Sequence, residues 1–410
     1  MDGANFPHLE MRGASDPGQF STIRMMRDPR GFWPVEVLEL SHVTLGQGRN
    51  RVKVVSDPAI VRAILADRAG TFEEAPVQAR ILGASNPKEL LEDQVEQRRA
   101  ALSFAGKSSG TTSLANIASV CRQVASEWFA ASKDANEIDV VLDARRLTLG
   151  CLCRAFLLME HGDAPIAPLV EQAAMQIDAL PAEAAMARRF DALHDLAIKY
   201  LSTTERGLDR AAPDYRRRLH LTLTILDAGH DNSAATLAWT MWLLAHRPDL
   251  QDAIRHESKS DHAGAGGMVR TVIWEVLRLY PPLLMLARKA KDNFREGDFS
   301  VEQGETVFTA LYAMHRHRDQ WDDADKFDPT RFLDTAGRFV RPQTVLPFGT
   351  GPRGCVGLGF AQVVLETAIP ALLSKIELVP DSRGSLECAV HFALRPKGRN
   401  AVLARPLGDS

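Results

Sequence analysis

Cysteine is scarce and scattered. Five stand in 410 residues, Cys121, Cys151, Cys153, Cys355 and Cys388. The number is odd and no CxxC pair occurs, which speaks against a paired-cysteine zinc site and a disulfide scaffold and points to a reducing compartment. Neither sign of charge dominates: 49 Lys plus Arg against 52 Asp plus Glu leave −3, with a pI near 6.5. No global basic field therefore gathers nucleic acid. Long apolar runs are missing too. The longest uncharged stretch of the central region, residues 232–246, falls short of the roughly 18 to 20 residues a membrane span needs. Residues 1–20 mix Asp2, His8, Glu10, Arg12 and Asp16 with Gly and Pro, where a signal peptide would carry an apolar core. A cytoplasmic protein with no nucleic-acid or membrane partner is expected. No Gly/Ser linker, charge block or repeat divides the chain, so a single body is the simplest organisation. With 45% hydrophobic and 25% charged residues, disorder is excluded and a large core is available.

The apolar spacing predicts mostly helix. Residues 52–55 read as a strand, and Asp57-Pro58 reads as the start of a helix whose Ile60, Val61, Ile64 and Leu65 share a face. Helical periodicity continues over 89–128, 137–160 and 165–206. Over 215–246 it persists for about 30 residues, or about 45 Å, until Arg247-Pro248-Asp249 ends it. Gly229 and the polar cluster His230 to Ser233 interrupt this helix at its middle, and a local distortion is expected there. After the Gly-rich residues 263–267 another helix runs to Tyr280, stopped by Pro281-Pro282. Short strands follow, then a helix from just after Cys355 to Leu373, then extended pieces around 389–404.

Chemistry concentrates in Phe348-Gly349-Thr350-Gly351-Pro352-Arg353-Gly354-Cys355-Val356-Gly357. Backbone N–H groups and the positive end of a helix dipole favour a thiolate at Cys355, and the small neighbours leave room for a flat ligand. A buried, inert cysteine after a Gly turn accounts for the same residue equally simply. Glu275-x-x-Arg278 on the helix that runs to Tyr280 reads, taken alone, as a solvated surface bridge. Cys151-Leu152-Cys153 is apolar and helical without a His pair, so it reads as core, while His315 and His317 read as solvated loop residues. A Gly-x-Ser-x-Gly hydrolase turn, a P-loop and a dinucleotide-binding fingerprint are absent.

Together these stretches resemble the cytochrome P450 family. Phe348, Gly351, Arg353, Cys355 and Gly357 stand at the spacing of its haem-binding loop, Glu275 to Arg278 matches its Glu-x-x-Arg signature, and residues 327–332 look like its meander, which supplies Arg331 to the same network. Ala228-Gly229-His230-Asp231 is similar to the oxygen-binding motif of the family's long distal helix. The resemblance implies a mainly α protein with a small β-rich lobe, the cytochrome P450 fold, as a single haem-binding domain over 1–410 with no fused reductase. The cofactor implied is haem b (iron protoporphyrin IX), with Cys355 as iron ligand and Phe348, Gly349, Gly357 and Ala228 against it. Arg353, Arg288 and Arg98, with Gln94 where the family often has Trp or His, are implied propionate partners.

One departure stands on the oxygen side, where Asn232 replaces the family's usual Thr, followed by Ser233. An amide positions water or a substrate oxygen without relaying the proton itself. Ser233 lies about 100° further round an ideal helix and substitutes for Thr only where the helix is distorted. Gly229, Asp231, Asn232 and Ser233 are the implied oxygen-side residues, and Leu283, Leu284, Leu286 and Phe392 the implied substrate pocket. The implied reaction is dioxygen activation for hydroxylation or epoxidation of a small, largely hydrophobic organic substrate. Electrons are expected from a separate ferredoxin or flavodoxin with its reductase, because 55 residues after Cys355 are too few for a redox domain. Arg98, Arg99, Lys107, Arg338 and Arg341 are candidates for the basic docking patch. Two other readings stay open: peroxide-driven, ring-forming or coupling chemistry, and a non-catalytic haem sensor.

Overall fold

Asp57 begins the first helix as its sequence suggests: one carboxylate oxygen accepts from the N–H groups of Ala59 and Ile60 at 2.9 Å, and Pro58 follows at the position where a missing N–H costs nothing. The computed structural model describes residue 33 and residues 35–45, 52–75, 111–133, 137–157, 166–179, 182–204, 213–259, 267–381, 387–390, 393–396 and 401–407. In chain order the elements are β1 (His42–Leu45), β2 (Val52–Val55), α1 (Pro58–Ala66), β3 (Phe72–Glu74), α2 (Thr111–Ser132), β4 (Glu137–Asp139), α3 (Val140–Cys151), α4 (Ile166–Ala179), α5 (Ala182–Thr204), α6 (Pro213–Ala245), α7 (Pro248–Lys259) and α8 (Gly267–Leu279). Then come β5 (Leu286–Ala290), β6 (Phe294–Glu296), β7 (Phe299–Val301), β8 (Thr306–Thr309), a single turn α9 (Leu311–Met314), α10 (Leu358–Leu373), β9 (Ile376–Pro380), β10 (Cys388–Val390), β11 (Leu394–Pro396) and β12 (Ala401–Pro406). The mainly α chain with small sheets is the expected class.

Two compact units divide the chain. The first comprises Met1–Gln94, Thr271–Cys355 and Leu386–Arg395. Its five-stranded sheet runs β1-β2-β8-β5-β3, with β2 and β8 parallel and the other pairs antiparallel. One face of α1 (Ile60, Val61, Ile64, Leu65) packs with Val55, Phe72, Phe299 and Leu311 into its core. The second comprises Val95–Arg270, Val356–Ser385 and Pro396–Ser410, and holds α2 to α7, α10 and an antiparallel sheet β4-β12-β9. Its axis is α6, about 50 Å long from its 33 residues. From Ala234 to Ala245 every side chain of α6 is buried, as expected of a helix covered on all sides.

Three readings of the sequence are corrected. Residues 137–139 do not open a helix: they pair with residues 401–403 as β4, and Asp139 then caps α3 by accepting from Val141 and Leu142 N–H at 3.1 Å. A partner strand more than 260 residues away in sequence overrides local propensity. The expected distortion at 229–233 does not occur either, since α6 is continuous. Polar side chains here bond back to their own helix, except Asp231: His230 Nδ1 lies 2.7 Å from the Leu226 carbonyl, and Thr236 Oγ1 donates to the Asn232 carbonyl at 2.9 Å. Gly229 admits a neighbour, as an added Cβ would lie 3.0 Å from Leu152 Cδ2 in the one-turn π segment Leu152–Phe156.

His315 and His317 are the third correction, being 0% and 4% exposed. His315 Nε2 accepts the Leu346 N–H at 2.9 Å. Burial, followed by Arg278 and Arg316, lowers its pKa to about 3. In the unfolded chain the ring titrates near ~6.5. Below that pH the unfolded chain takes up a proton that the fold refuses, so this contribution is complete above pH ~6.5 and is lost as pH falls. Urea denaturation should show about 2 kcal/mol of it disappearing between pH 6.5 and 5. In His315→Gln that part of the pH dependence should vanish, and an unchanged pH slope would show that the ring protonates readily in the fold. Cys151 and Cys153 are buried core as read. The Cys121 thiol and burial raise Cys151's pKa, and burial pushes Cys153 up to about 12.

Candidate functional site

The cysteine loop belongs to the first unit. Leu346 and Gly349 close a turn, with Gly349 N–H donating to the Leu346 carbonyl at 3.0 Å, and Cys355 N–H returns to the Phe348 carbonyl at 2.9 Å. Both Gly349 (φ 64°) and Gly351 (φ 73°) are left-handed, where a side chain is strained. Gly351 has a second reason to be glycine: an added Cβ would stand 2.4 Å from the Leu65 carbonyl oxygen at the end of α1. Phe348 packs edge-on to Trp274, with ring centroids 5.8 Å apart. Cys355 lies three residues ahead of α10, whose cap is Gly357, so the thiol precedes the helix instead of sitting in its first turn. It is exposed, whereas the other four cysteines are buried.

Two arginines converge on the edge of this loop. Arg353 donates through one terminal nitrogen to Asp67 Oδ2 at 3.2 Å and through the other to the Phe72 carbonyl at 3.0 Å. Arg288, on β5, is 3% exposed. One terminal nitrogen reaches its neighbour's carbonyl, on Ala287, but its buried Nε has no hydrogen-bond partner. Burial lowers the Arg288 pKa, Arg353 lowers it further, and Glu74 and Asp67 raise it. A buried guanidinium with a donor left over is fitted to an incoming carboxylate. Leu283 and Leu286 are partly open and Leu284 is buried. Gln94, Arg98, Arg99, Lys107 and Phe392 lie outside the described residues.

Behind the loop, the sequence pair Glu275 and Arg278 is fully buried, not a surface bridge. Arg278 Nε and one terminal nitrogen hold the two carboxylate oxygens at 2.7 and 2.8 Å. Its remaining donors go to the carbonyls of His315, Ala324 and Lys326, so all five N–H groups are engaged. Glu275 Oε1 also accepts the Asp328 N–H at 2.9 Å, and Arg331 Nε stands 3.7 Å away, near enough for charge but not for a hydrogen bond. Burial pushes the Glu275 carboxyl above the ordinary range, while Arg278, the Asp328 amide and Arg331 pull it back. Asp328 was missed in the sequence as a member of this network, because a backbone N–H leaves no residue-type signal.

On α6, in the second unit, Leu221, Thr224, Ala228 and Asn232 recur at helical spacing and are less than fully buried, Ala228 being exposed. This open stripe ends where the buried run begins. Asn232 donates from Nδ2 to the Ala228 carbonyl at 3.4 Å, and its buried Oδ1 has no hydrogen-bond partner. The Ala228 carbonyl can only accept, so the amide orientation is assigned by chemistry. Ser233 is buried on another side of the undistorted helix, which leaves it unable to replace Asn232 on the stripe. Asp231 forms a buried ion pair with Arg145 of α3 at 2.8 Å. Gly229 faces Leu152.

An exposed cysteine on a left-handed Gly loop and a buried arginine with an unused donor, both in the first unit, suit a flat, anionic, metal-bearing cofactor. The family profile described as Cytochrome P450 matches residues 183–402, more than half of the sequence, and the chain belongs to that family. Its cofactor is haem, and the residues above fit it: Cys355 for the iron, Arg288 and Arg353 for the carboxylates. A cytokinin hydroxylase from Arabidopsis thaliana is 31% identical over 196 residues, 45% of this chain and 38% of that protein. Cytochrome P450 709B1 of the same plant is 33% identical over 204 residues, 47% of this chain and 39% of that protein. The chain therefore spans about two fifths of the length of these curated relatives. A zebrafish cytochrome P450 solved with progesterone superposes with a TM-score of 0.70 at 21% identity, covering 90% of this chain and 96% of that one. The expected fold is thereby established.

Proposed function

We propose that this chain is a haem-thiolate monooxygenase that hydroxylates or epoxidises a small, largely hydrophobic organic substrate. The observation that carries the reading is Cys355, the one exposed cysteine of five, on its Gly loop. Haem held by a thiolate supplies an oxidant strong enough for unactivated C–H bonds. The protein's own groups do the rest. Arg288 and Arg353 bind and orient the cofactor by its carboxylates, the Glu275–Arg278 pair holds the chain behind the loop, and Asn232 presents an acceptor on the oxygen side. The hydroxylase name of one relative supports hydroxylation. In this reading residues 1–410 act as one haem domain in the cytoplasm and take electrons from a separate ferredoxin or flavodoxin system. Arg338 and Arg341 remain the described candidates for docking it. Among the described residues no helix is long and apolar enough to cross a membrane.

Product formation that needs dioxygen and a surrogate ferredoxin system is the expected result. Turnover with peroxide alone would favour the peroxide-driven or coupling reading, and ligand binding without turnover would favour a sensor. Asn232 gives a sharper test. Its Oδ1 lacks a donor, and an unpaired buried polar group costs about 1 to 3 kcal/mol. A water or a substrate hydroxyl or amine is expected to meet it. Asn232→Thr should therefore change product distribution or product formed per electron consumed, with haem content unchanged. Identical products, coupling and substrate affinity would confine Asn232 to its bond with Ala228.

A further inference from the structure

Arg353 is not held by its own loop. Both of its described partners, the Asp67 carboxylate and the Phe72 carbonyl, come from the turn joining α1 to β3. Asp67 is the C-cap of α1 and adopts a left-handed conformation (φ 39°, ψ 52°), a position that glycine or asparagine would fill with equal or less strain. Its side chain is 4% exposed. The carboxylate accepts the Phe72 N–H at 3.2 and 3.3 Å, which shapes the turn, and accepts Arg353 at 3.2 Å. The same turn receives Gly351 closely enough to exclude any side chain there. Loop and turn thus meet at two points, one a backbone contact and one an ion pair. Arg353 spends two of its five donors on the turn and keeps three. Arg288 repels Arg353, and Asp67 attracts both.

We propose that Asp67 is a positioning residue for haem: it holds Arg353 in place and offsets the repulsion between Arg353 and Arg288, so that the two guanidiniums stand ready for a haem carboxylate. The inference rests on the haem reading above. It explains an ionisable residue at a left-handed cap, because asparagine would satisfy the backbone but not the charge.

The test is the rate at which the haem-loaded protein surrenders haem to excess apomyoglobin. Asp67→Asn keeps the shape of the side chain and should release haem about three- to tenfold faster, the loss expected for one charge-assisted hydrogen bond. In an Arg353→Ala background the same substitution should add little, since its effect is exerted through Arg353. Equal acceleration in both backgrounds would show that Asp67 merely stabilises the turn, and would overturn the proposal, as would an unchanged rate in Asp67→Asn. If Asp67→Asn yields no folded holoprotein, Asp67→Gly, suited to the left-handed backbone, serves in its place with the same expectations. A wild-type chain that takes up no haem would overturn the haem reading and this inference together. A loaded wild type with an indifferent Asp67 overturns the inference alone.

Discussion

Cys355→Ala protein should fold, yet lose the thiolate-type absorption of its reduced carbon monoxide complex and all dioxygen-dependent turnover. The expected loss is complete because no other cysteine is placed to substitute: Cys121, Cys151, Cys153 and Cys388 are all buried. Folding should survive because an exposed side chain contributes little to the core, and the loop's geometry comes from its glycines and from the bond between Cys355 N–H and the Phe348 carbonyl. Cys355→His retains a possible ligand and should bind haem with an imidazole-type spectrum instead. A wild-type spectrum in Cys355→Ala would remove the thiolate, and with it the proposed chemistry. Thermal melting of the haem-free proteins completes the measurement, with similar midpoints expected for wild type and both variants.

Glu275→Ala should have the largest effect on stability. The substitution leaves Arg278, 0% exposed, with no carboxylate, and breaking a buried pair of this kind costs about 3 to 5 kcal/mol. The three carbonyls bound to Arg278 remain, but they cannot neutralise it. Soluble yield and haem content should both collapse, since Arg278 ties α8 to the segments containing His315, Ala324 and Lys326. Arg270 and Glu366 provide the contrast within the same protein. They form a two-pronged pair at 2.8 and 2.9 Å, but their side chains are 33% and 24% exposed. Breaking this pair should cost under about 1 kcal/mol. Similar losses for Glu275→Ala and Glu366→Ala would mean that burial does not set the value of these pairs.

Where neighbours in sequence are also the physical partners, reading the chain was sufficient. Asp57 caps α1 because the N–H groups it serves lie two and three residues away, and Pro58 fills the next position, where no N–H is needed. Helical periodicity located α6 and α10 to within a few residues, since a helix's hydrogen bonds stay within the segment. Cys355 stood out as the candidate ligand through its loop's resemblance to a family pattern, and the fold leaves it exposed.

Everything that depended on distant partners had to wait for the fold. Residues 137–139 became a strand through residues 401–403. His315, polar and set in a charged stretch, was buried by Leu346 and its surroundings. The midpoint of α6 stayed helical because its side chains bond to their own carbonyls, despite residues of low helix propensity. Asp67 and Arg353, 286 positions apart, carry no mutual signal in the sequence. Hydrophobic period and capping are one-dimensional and survive in the string of letters. Burial, ion pairing across the chain and the space left for a Cβ are relations between segments, and tertiary packing alone creates them.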